Sequence, residues 1–303
     1  MNVVVVHAGA LGDGVLIWPL LRALGRLEHT VKLVTNDSAG RMAAIELNNQ
    51  LGSPLVSHVP LDSPRWTPLW QGPSGGDRAD AGPTVDLLVS FLADDSTEGG
   101  RRWLAAAREE FPDAEVVLAG APGSVTRGAL WKRFRVHELG GVAAAPGPHG
   151  PVVLSVGAGG RHKRWPLERW SQLADRLLGL TPPQRVQIIA GPVEDEQFSK
   201  KERAAFNELI RKGQWSGTIN RLGDLTNAVR KAACVVSADS GPAHLSAQLG
   251  VRTLALFGPT DPSVWSPVGP TVRTLAPAAM TKDMAWLEVD AVFGVLVSQQ
   301  WVR

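Results

Sequence analysis

Short apolar runs recur along this chain. Each is followed by a turn rich in glycine or acidic residues and then by a stretch with apolar positions at helical spacing. In the first half, Asn2–His7, Val31–Thr35, Leu55–Val59, Val85–Phe91 and Glu115–Leu118 read as strands. Runs of this length, bounded by turn residues and rich in β-branched side chains, mark buried strands. Val15–Arg26 reads as a helix, with Leu16, Leu20, Leu24 and Leu27 at helical spacing; Ala39–Leu51 and Arg101–Phe111 read as helices too. Val142–Pro151, rich in Ala, Pro and Gly, reads as a linker, after which the pattern restarts. Val152–Val156, Arg185–Ala190, Ala232–Val236 and Val251–Phe257 are the expected strands of the second half. Its expected helices are Leu167–Leu178, a long charged helix from Gly191 to Lys212, Asp224–Ala233, a small helix from Ser240 to Leu249, and a final amphipathic helix Met284–Gln300. Alternating strand and helix implies parallel sheets with right-handed crossovers. The expected architecture is two doubly wound α/β domains, residues 1–146 and 147–303, facing each other across a cleft.

Composition narrows the function classes. The 303 residues carry a net charge of +2, too close to neutral for a general nucleic-acid binder. The single Cys234 lies in an expected core strand, so neither a disulfide framework nor a zinc ligand set is present, and a reducing compartment is expected. The first strand is too short and its flank too uncharged for a signal peptide. No run reaches the ~20 apolar residues of a membrane span, so the expected location is cytoplasmic, with room for a peripheral membrane contact.

Candidate chemistry sits in the loops after strands, the edge where open α/β sheets bind ligands. The main stretch is Ser237-Ala238-Asp239-Ser240-Gly241-Pro242-Ala243-His244. Asp239 or Ser240 marks a helix start, whose free N–H groups and partial positive charge suit a phosphate. The plainer reading is that both residues only cap the helix and His244 packs beneath it. Gly159 and Gly160 allow close backbone approach, and Lys163 offers a point charge. Glu194 either accepts from ribose hydroxyls or only complements a helix dipole. Thr260 and Asp261 follow the next strand. Together these residues describe a nucleotide-diphosphate site better than any one of them does.

In the first half, Gly9-Ala10-Leu11-Gly12-Asp13-Gly14 lacks G-x-G-x-x-G spacing, and no acidic residue ends the next strand, which argues against nicotinamide binding. Asp13 either caps the following helix or takes a proton from an attacking hydroxyl. Arg127-Gly128-Ala129-Leu130-Trp131-Lys132-Arg133-Phe134-Arg135 is a basic and aromatic cluster: a solvated face, or a surface for a phosphorylated or acidic partner. Ser63–Pro83, containing Trp66 and Trp70, is a long loop of the kind that is often functional.

Five segments in order carry a family resemblance: Gly12-Asp13 with Pro19, Lys163-Arg164-Trp165-Pro166, Gly191-Pro192-Val193-Glu194, Asp239-Ser240-Gly241-Pro242-Ala243-His244 and Gly258-Pro259-Thr260-Asp261-Pro262. They resemble glycosyltransferase family 9, the bacterial ADP-heptose:lipopolysaccharide heptosyltransferases, specifically in the second half and more loosely in the first. The resemblance implies a GT-B fold with the acceptor side on the first domain and the nucleotide sugar on the second. It implies an inverting transfer with no metal or other cofactor, and the chain has no Asp-x-Asp triplet. On it, Asp13 matches the catalytic base, Lys163 the diphosphate lysine, Glu194 the acidic residue at the nucleoside and Asp239 the carboxylate at the donor sugar. His244 with Ser240 and Gly241 matches the phosphate-side motif. Gly159, Gly160 and Thr260 join the donor set; Gly12, Arg127, Lys132 and Arg133 are the acceptor-side candidates. The match departs at His7 and Gly9, where the family often has a basic and a hydroxyl residue, and at Gly159-Gly160, where hydroxyl residues often touch the diphosphate. The expected function is transfer of heptose from ADP-heptose to a lipopolysaccharide-core, lipid-linked or related saccharide, at the cytoplasmic face of the inner membrane. The alternatives are a GT-B enzyme using a UDP- or GDP-sugar, such as another transferase or an epimerase, and a non-catalytic nucleotide-sugar binder.

Overall fold

The computed structural model describes residues 1–66, 69, 84–92, 96–120, 122, 124–144, 150–213 and 216–302. The chain divides into two compact units, Met1–Gly141 and Val142–Arg303.

The first unit is built on a five-stranded sheet in the order β3-β2-β1-β4-β5. Its strands are β1 (Asn2–Val6), β2 (Thr30–Thr35), β3 (Val56–Pro60), β4 (Leu87–Ser90) and β5 (Glu115–Leu118). All pairings are parallel, with Val3 opposite Val31 on one side and Leu87 on the other. β1 reads as a continuous apolar run because a central parallel strand is covered on both faces. Val4, Val6, Val34 and Leu88 pack with Trp66, Trp103 and Phe111. Trp66, in the loop singled out by the sequence, is a core residue stacked 5.7 Å from Phe111; Trp70 lies outside the described residues.

Where one helix was expected over Val15–Arg26, the structure has two: α1 (Leu11–Val15) and α2 (Trp18–Arg26). Pro19 at the start of α2 forces the break, since it has no N–H to donate to Val15 and its ring would clash with that carbonyl. The glycine-rich segment is thus helical from Leu11, and Asp13 lies in the first turn of α1 rather than at its cap. The remaining helices here are α3 (Asp37–Leu51), α4 (Glu98–Glu110), α5 (Val125–Arg133) and α6 (Val136–Leu139).

The second unit has a six-stranded sheet ordered β11-β10-β9-β6-β7-β8, again parallel throughout. Its strands are β6 (Val152–Ser155), β7 (Val186–Ala190), β8 (Gly217–Thr218), β9 (Cys234–Ala238), β10 (Thr253–Leu256) and β11 (Val272–Leu275). The short edge strands β8 and β11 have too little apolar pattern to be read from sequence. Helix α7 (Leu167–Leu178) falls where expected; its Trp170, Leu173, Ala174 and Leu177 are buried against the sheet. The long helix expected from Gly191 is two helices, α8 (Pro192–Gln197) and α9 (Lys200–Ile210). A capping box at Ser199 and Glu202 starts α9, while Phe198 turns inward to pack on Phe206. Then follow α10 (Leu222–Arg230), α11 (Gly241–Gln248) and α12 (Pro262–Trp265). Ser237 and Ala238, expected in a loop, are the last residues of β9. The final helix α13 spans only Val289–Ser298. Tertiary bonds hold the residues before it off helical geometry: Trp165 Nε1 donates to Leu287 O and Trp286 Nε1 to Phe257 O. Cys234 is buried, and that burial pushes its thiol up to about 12, leaving it inert. Among the described residues, no helix is long and apolar enough to cross a membrane.

Candidate functional site

In the second unit the chain winds outward from β6 to β7 and β8, then crosses back to β9, β10 and β11. The strand order therefore reverses between β6 and β9, the place where such sheets open a crevice at their carboxyl ends. Three neighbouring strands deliver one polar cluster there. Lys163 follows β6, Asp239 follows β9 and Thr260 follows β10. Lys163 Nζ lies 3.0 Å from Asp239 Oδ2, and Thr260 Oγ1 donates to the same oxygen at 2.9 Å. His244 Nε2 is 3.5 Å from Asp239 Oδ1. Burial of Asp239 alone would push its carboxyl up, but His244, Lys163 and Thr260 outweigh it and hold the group below the usual range. Asp239 is therefore ionised at neutral pH, while Lys163 keeps a quarter of its side chain exposed.

Ser240 is the backbone N-cap of α11, yet its hydroxyl pairs with Ser237 Oγ at 2.8 Å and caps nothing. Pro242 has no N–H, and the Ala243 and His244 N–H groups turn back to Ser240 O. The expected row of free donors is thus shortened at Pro242, Ala243 and His244, and no side chain caps the Gly241 N–H. Gly159 has open space around it, whereas a side chain on Gly160 would meet the His162 ring at 2.7 Å. Glu194, in the first turn of α8, is buried, and both its oxygens accept backbone N–H groups, from Ala158 and Gly191.

The first unit reverses its strand order between β1 and β4. A cavity of about 320 Å³ opens at that edge, lined by His7, Gly9, Asp13, Phe91, Leu92 and Arg127 among others. Arg127 donates to Leu16 O at 3.1 Å, and its guanidinium lies 4.6 Å from the Trp131 ring and 5.5 Å from that of Phe91. Burial lowers it to about 10, still far above neutrality. The basic cluster seen in the sequence is therefore split. Arg127 joins Asp13, while Lys132 is exposed and Arg133 pairs with Glu115 at 2.6 Å, neither of them lining this cavity. Gly12 supports the Asp13 turn through its carbonyl, which accepts the Leu16 N–H.

His7 belongs to this site, although the sequence alone marks it only as a departure from the family pattern. Burial drives it down to about 4, so it is neutral at working pH, and Nδ1 accepts the Gly9 N–H at 3.1 Å. The signal was a polar residue ending an apolar strand at the ligand-binding edge. Gly9 is required by packing: a Cβ there would lie 2.6 Å from His7 Cε1 and 2.8 Å from Asp13 Cβ.

A statistical model of glycosyltransferase family 9 (heptosyltransferase) matches residues 136–284, the stretch that holds Lys163, Glu194, Asp239, His244 and Thr260. Lipopolysaccharide heptosyltransferase 1 of Salmonella typhimurium is 29% identical over 132 residues, 44% of this chain and 39% of that protein. Lipooligosaccharide heptosyltransferase 2 of Haemophilus influenzae is 31% identical over 111 residues, 36% of this chain and 31% of that protein. The aligned stretches thus span less than half the length of these curated relatives. In fold, the chain is similar to an Escherichia coli heptosyltransferase solved with ADP, at 17% identity and a TM-score of 0.64, covering 98% of this chain and 99% of that one. It is also similar to a family 9 glycosyltransferase of Veillonella parvula, at 15% identity and a TM-score of 0.68, covering 99% and 96%. These likenesses show a shared GT-B architecture of two parallel-sheet α/β units. The match to glycosyltransferase family 9 falls on the segment that builds the Lys163–Asp239 cluster, and the likeness in fold extends over nearly the whole chain.

Proposed function

We propose that the protein transfers heptose from ADP-heptose to a saccharide of the lipopolysaccharide core, with inversion and without a metal ion. The observation that carries this reading is the Lys163–Asp239–Thr260–His244 cluster at the strand-order reversal, inside the family-matched segment. An acceptor hydroxyl attacks the anomeric carbon while Asp13 takes its proton. The bond from that carbon to the diphosphate breaks, and ADP leaves with the electron pair. Negative charge grows on the leaving diphosphate. Lys163 with the Gly241 N–H meets that charge where it develops, and electrostatic help of this kind is generally the main source of rate in such catalysis. Asp239, fixed by three partners, faces the donor sugar. Arg127 beside Asp13 orients the acceptor, and a lipid-linked acceptor would bring the enzyme to the inner membrane's cytoplasmic face. ADP is preferred as the nucleotide because a structural neighbour was solved with it.

Calorimetric titration with ADP, UDP and GDP, on the wild type and on Lys163→Ala, is the test. ADP preference that collapses in the variant supports the reading; a UDP or GDP preference moves the donor elsewhere, and no binding removes the sugar-nucleotide reading. Turnover unchanged by EDTA supports the absence of a metal step. Asp13→Ala should lower turnover by about 10²–10⁴-fold, the usual share of general-base help.

A further inference from the structure

Among the described residues, no hydrogen bond reaches the Asp13 carboxylate, so packing must place it. Gly9 lies flush against it: a Cβ on Gly9 would come 2.8 Å from Asp13 Cβ and 3.1 Å from Oδ2. Gly9 is itself held by His7. Residues 8–10 join β1 to α1, and Ala10 at the helix start offers no side-chain cap. Among the described residues, the side-chain hydrogen bond that closes this turn runs from the Gly9 N–H to His7 Nδ1, at 3.1 Å. His7 is fixed to the sheet in turn, its own N–H donating to Val34 O at 3.0 Å. The imidazole is buried between two glycines of the turn and helix. The Gly9 Cβ position lies 2.6 Å from its Cε1, and that of Gly14 lies 3.8 Å from its Nδ1.

Nδ1 can accept the Gly9 N–H only while it carries no proton. The bond therefore needs a neutral ring protonated at Nε2, since an imidazolium or a lysine ammonium has donors only. Burial supplies that neutrality, lowering the ring to about 4 against the pull of Asp13. We propose that His7 is a positioning residue for the general base: through Nδ1 and the Gly9 N–H it holds the β1–α1 turn against Asp13 and fixes where that carboxylate stands in the first-unit cavity. The proposal rests on the reading that Asp13 takes the acceptor proton. Glycine has more backbone freedom than any other residue, and here one hydrogen bond decides which conformation it keeps. Without that bond Gly9 can withdraw from Asp13, and the carboxylate gains room to turn. A misplacement of about 1 Å can cost about 10²-fold in rate. Placement by packing also leaves the Asp13 oxygens open to an acceptor hydroxyl. Asp239 is the contrast, its oxygens already facing Lys163, Thr260 and His244.

The test is turnover of ADP-heptose with a heptose-free lipopolysaccharide core, followed as ADP release. The proteins are the wild type, His7→Leu, His7→Asn, Asp13→Ala and the double variant of His7→Leu with Asp13→Ala. Leu and Asn have nearly the same shape, but only Asn brings an oxygen that can accept the Gly9 N–H. Positioning predicts that His7→Leu lowers kcat by about ten- to hundredfold while ADP affinity holds, and that His7→Asn recovers all but about threefold of that loss. With Asp13 already Ala, His7→Leu should cost under about threefold, because coupled effects do not add. Three results would overturn the proposal. Equal losses in His7→Leu and His7→Asn would make His7 a filler of space or a charge. A loss that multiplies in full with that of Asp13→Ala would make it independent of the base. A His7→Leu enzyme as active as wild type would give it no part in turnover. Should Asp13→Ala itself keep turnover, the general-base reading falls, and this one with it. If His7→Leu does not fold, the wild type still decides. Nitrogen-15 NMR of the His7 ring at neutral pH should show a bare Nδ1 and a protonated Nε2, and the opposite tautomer would refute the bond on which the proposal stands.

Discussion

Replacing Asp239 by Asn should tighten ADP binding, although Asp239 stands at the centre of the candidate donor site. The carboxylate is ionised, held below its usual range by His244, Lys163 and Thr260 against the opposing effect of burial. In the free protein it neutralises Lys163 from 3.0 Å. A phosphate oxygen bound to the far side of the same ammonium would sit about 6 Å from the carboxylate, adding the length of a second charge-assisted bond. At an effective dielectric constant near 20, two such charges repel by about 3 kcal/mol, and the partial exposure of Lys163 roughly halves this. Loosening Lys163 when its ion pair is lost gives back ~0.5–1 kcal/mol of side-chain ordering. The net gain is about two- to fivefold in ADP affinity. Asn is the right replacement because its carbonyl still accepts from Thr260. The assay is calorimetry with ADP at low and high salt, where the gain should shrink as screening grows. If Asp239 holds the donor sugar, turnover with the intact donor should fall in the same variant. An Asp239→Asn protein that binds ADP more weakly than wild type would refute the electrostatic reasoning.

Other consequences follow from the same contacts. Gly9→Ala should abolish turnover while leaving ADP affinity unchanged, since its Cβ strikes His7 and Asp13 at 2.6 and 2.8 Å in the first unit alone; retained turnover would show that the loop yields. Folded His7 takes its proton near pH 4 rather than 6.5, so between those values the unfolded chain binds more protons. Stability is therefore complete above pH 6.5 and falls as pH drops toward 4, by at most about 3 kcal/mol. His29 is shifted in the same direction by its partial burial. A urea-midpoint series should show a flatter acid limb for His7→Asn, and an unchanged slope would contradict the assignment. Trp165 and Trp170 are equally buried and meet edge to face at 4.9 Å, but only the Trp165 indole has a hydrogen-bond acceptor, Leu287 O. Trp165→Phe should therefore cost about 1 kcal/mol more than Trp170→Phe in chemical denaturation, the net worth of one buried hydrogen bond.

Much of this protein is written in its local pattern. The central strands β1, β6, β9 and β10 are continuous apolar runs because parallel strands are covered on both faces, and that signal survives without any knowledge of neighbours. The motif order carried the family resemblance, and it put Asp13, Lys163, Asp239 and Thr260 in the segments that follow strands. Other features depended on contacts distant in sequence. Pro19 broke a helix that leucine spacing made continuous, and Trp165 and Trp286 held residues 284–288 out of the last one. Trp66 turned out to be core because Phe111 stacks on it. Charge spacing grouped Arg127 with Lys132 and Arg133, but only packing against Phe91 and Leu16 brings Arg127 beside Asp13. Glu194 is the sharpest case. Its place in a helix's first turn is local and legible, but its bond to Ala158, on a loop 36 positions earlier, exists only once β6 and β7 pair in register. Sequence sets which groups stand at the carboxyl edge of each sheet, because that depends on where strands end. Which of those groups meet, and which are already spent on one another, follows from the order in which the strands lie side by side.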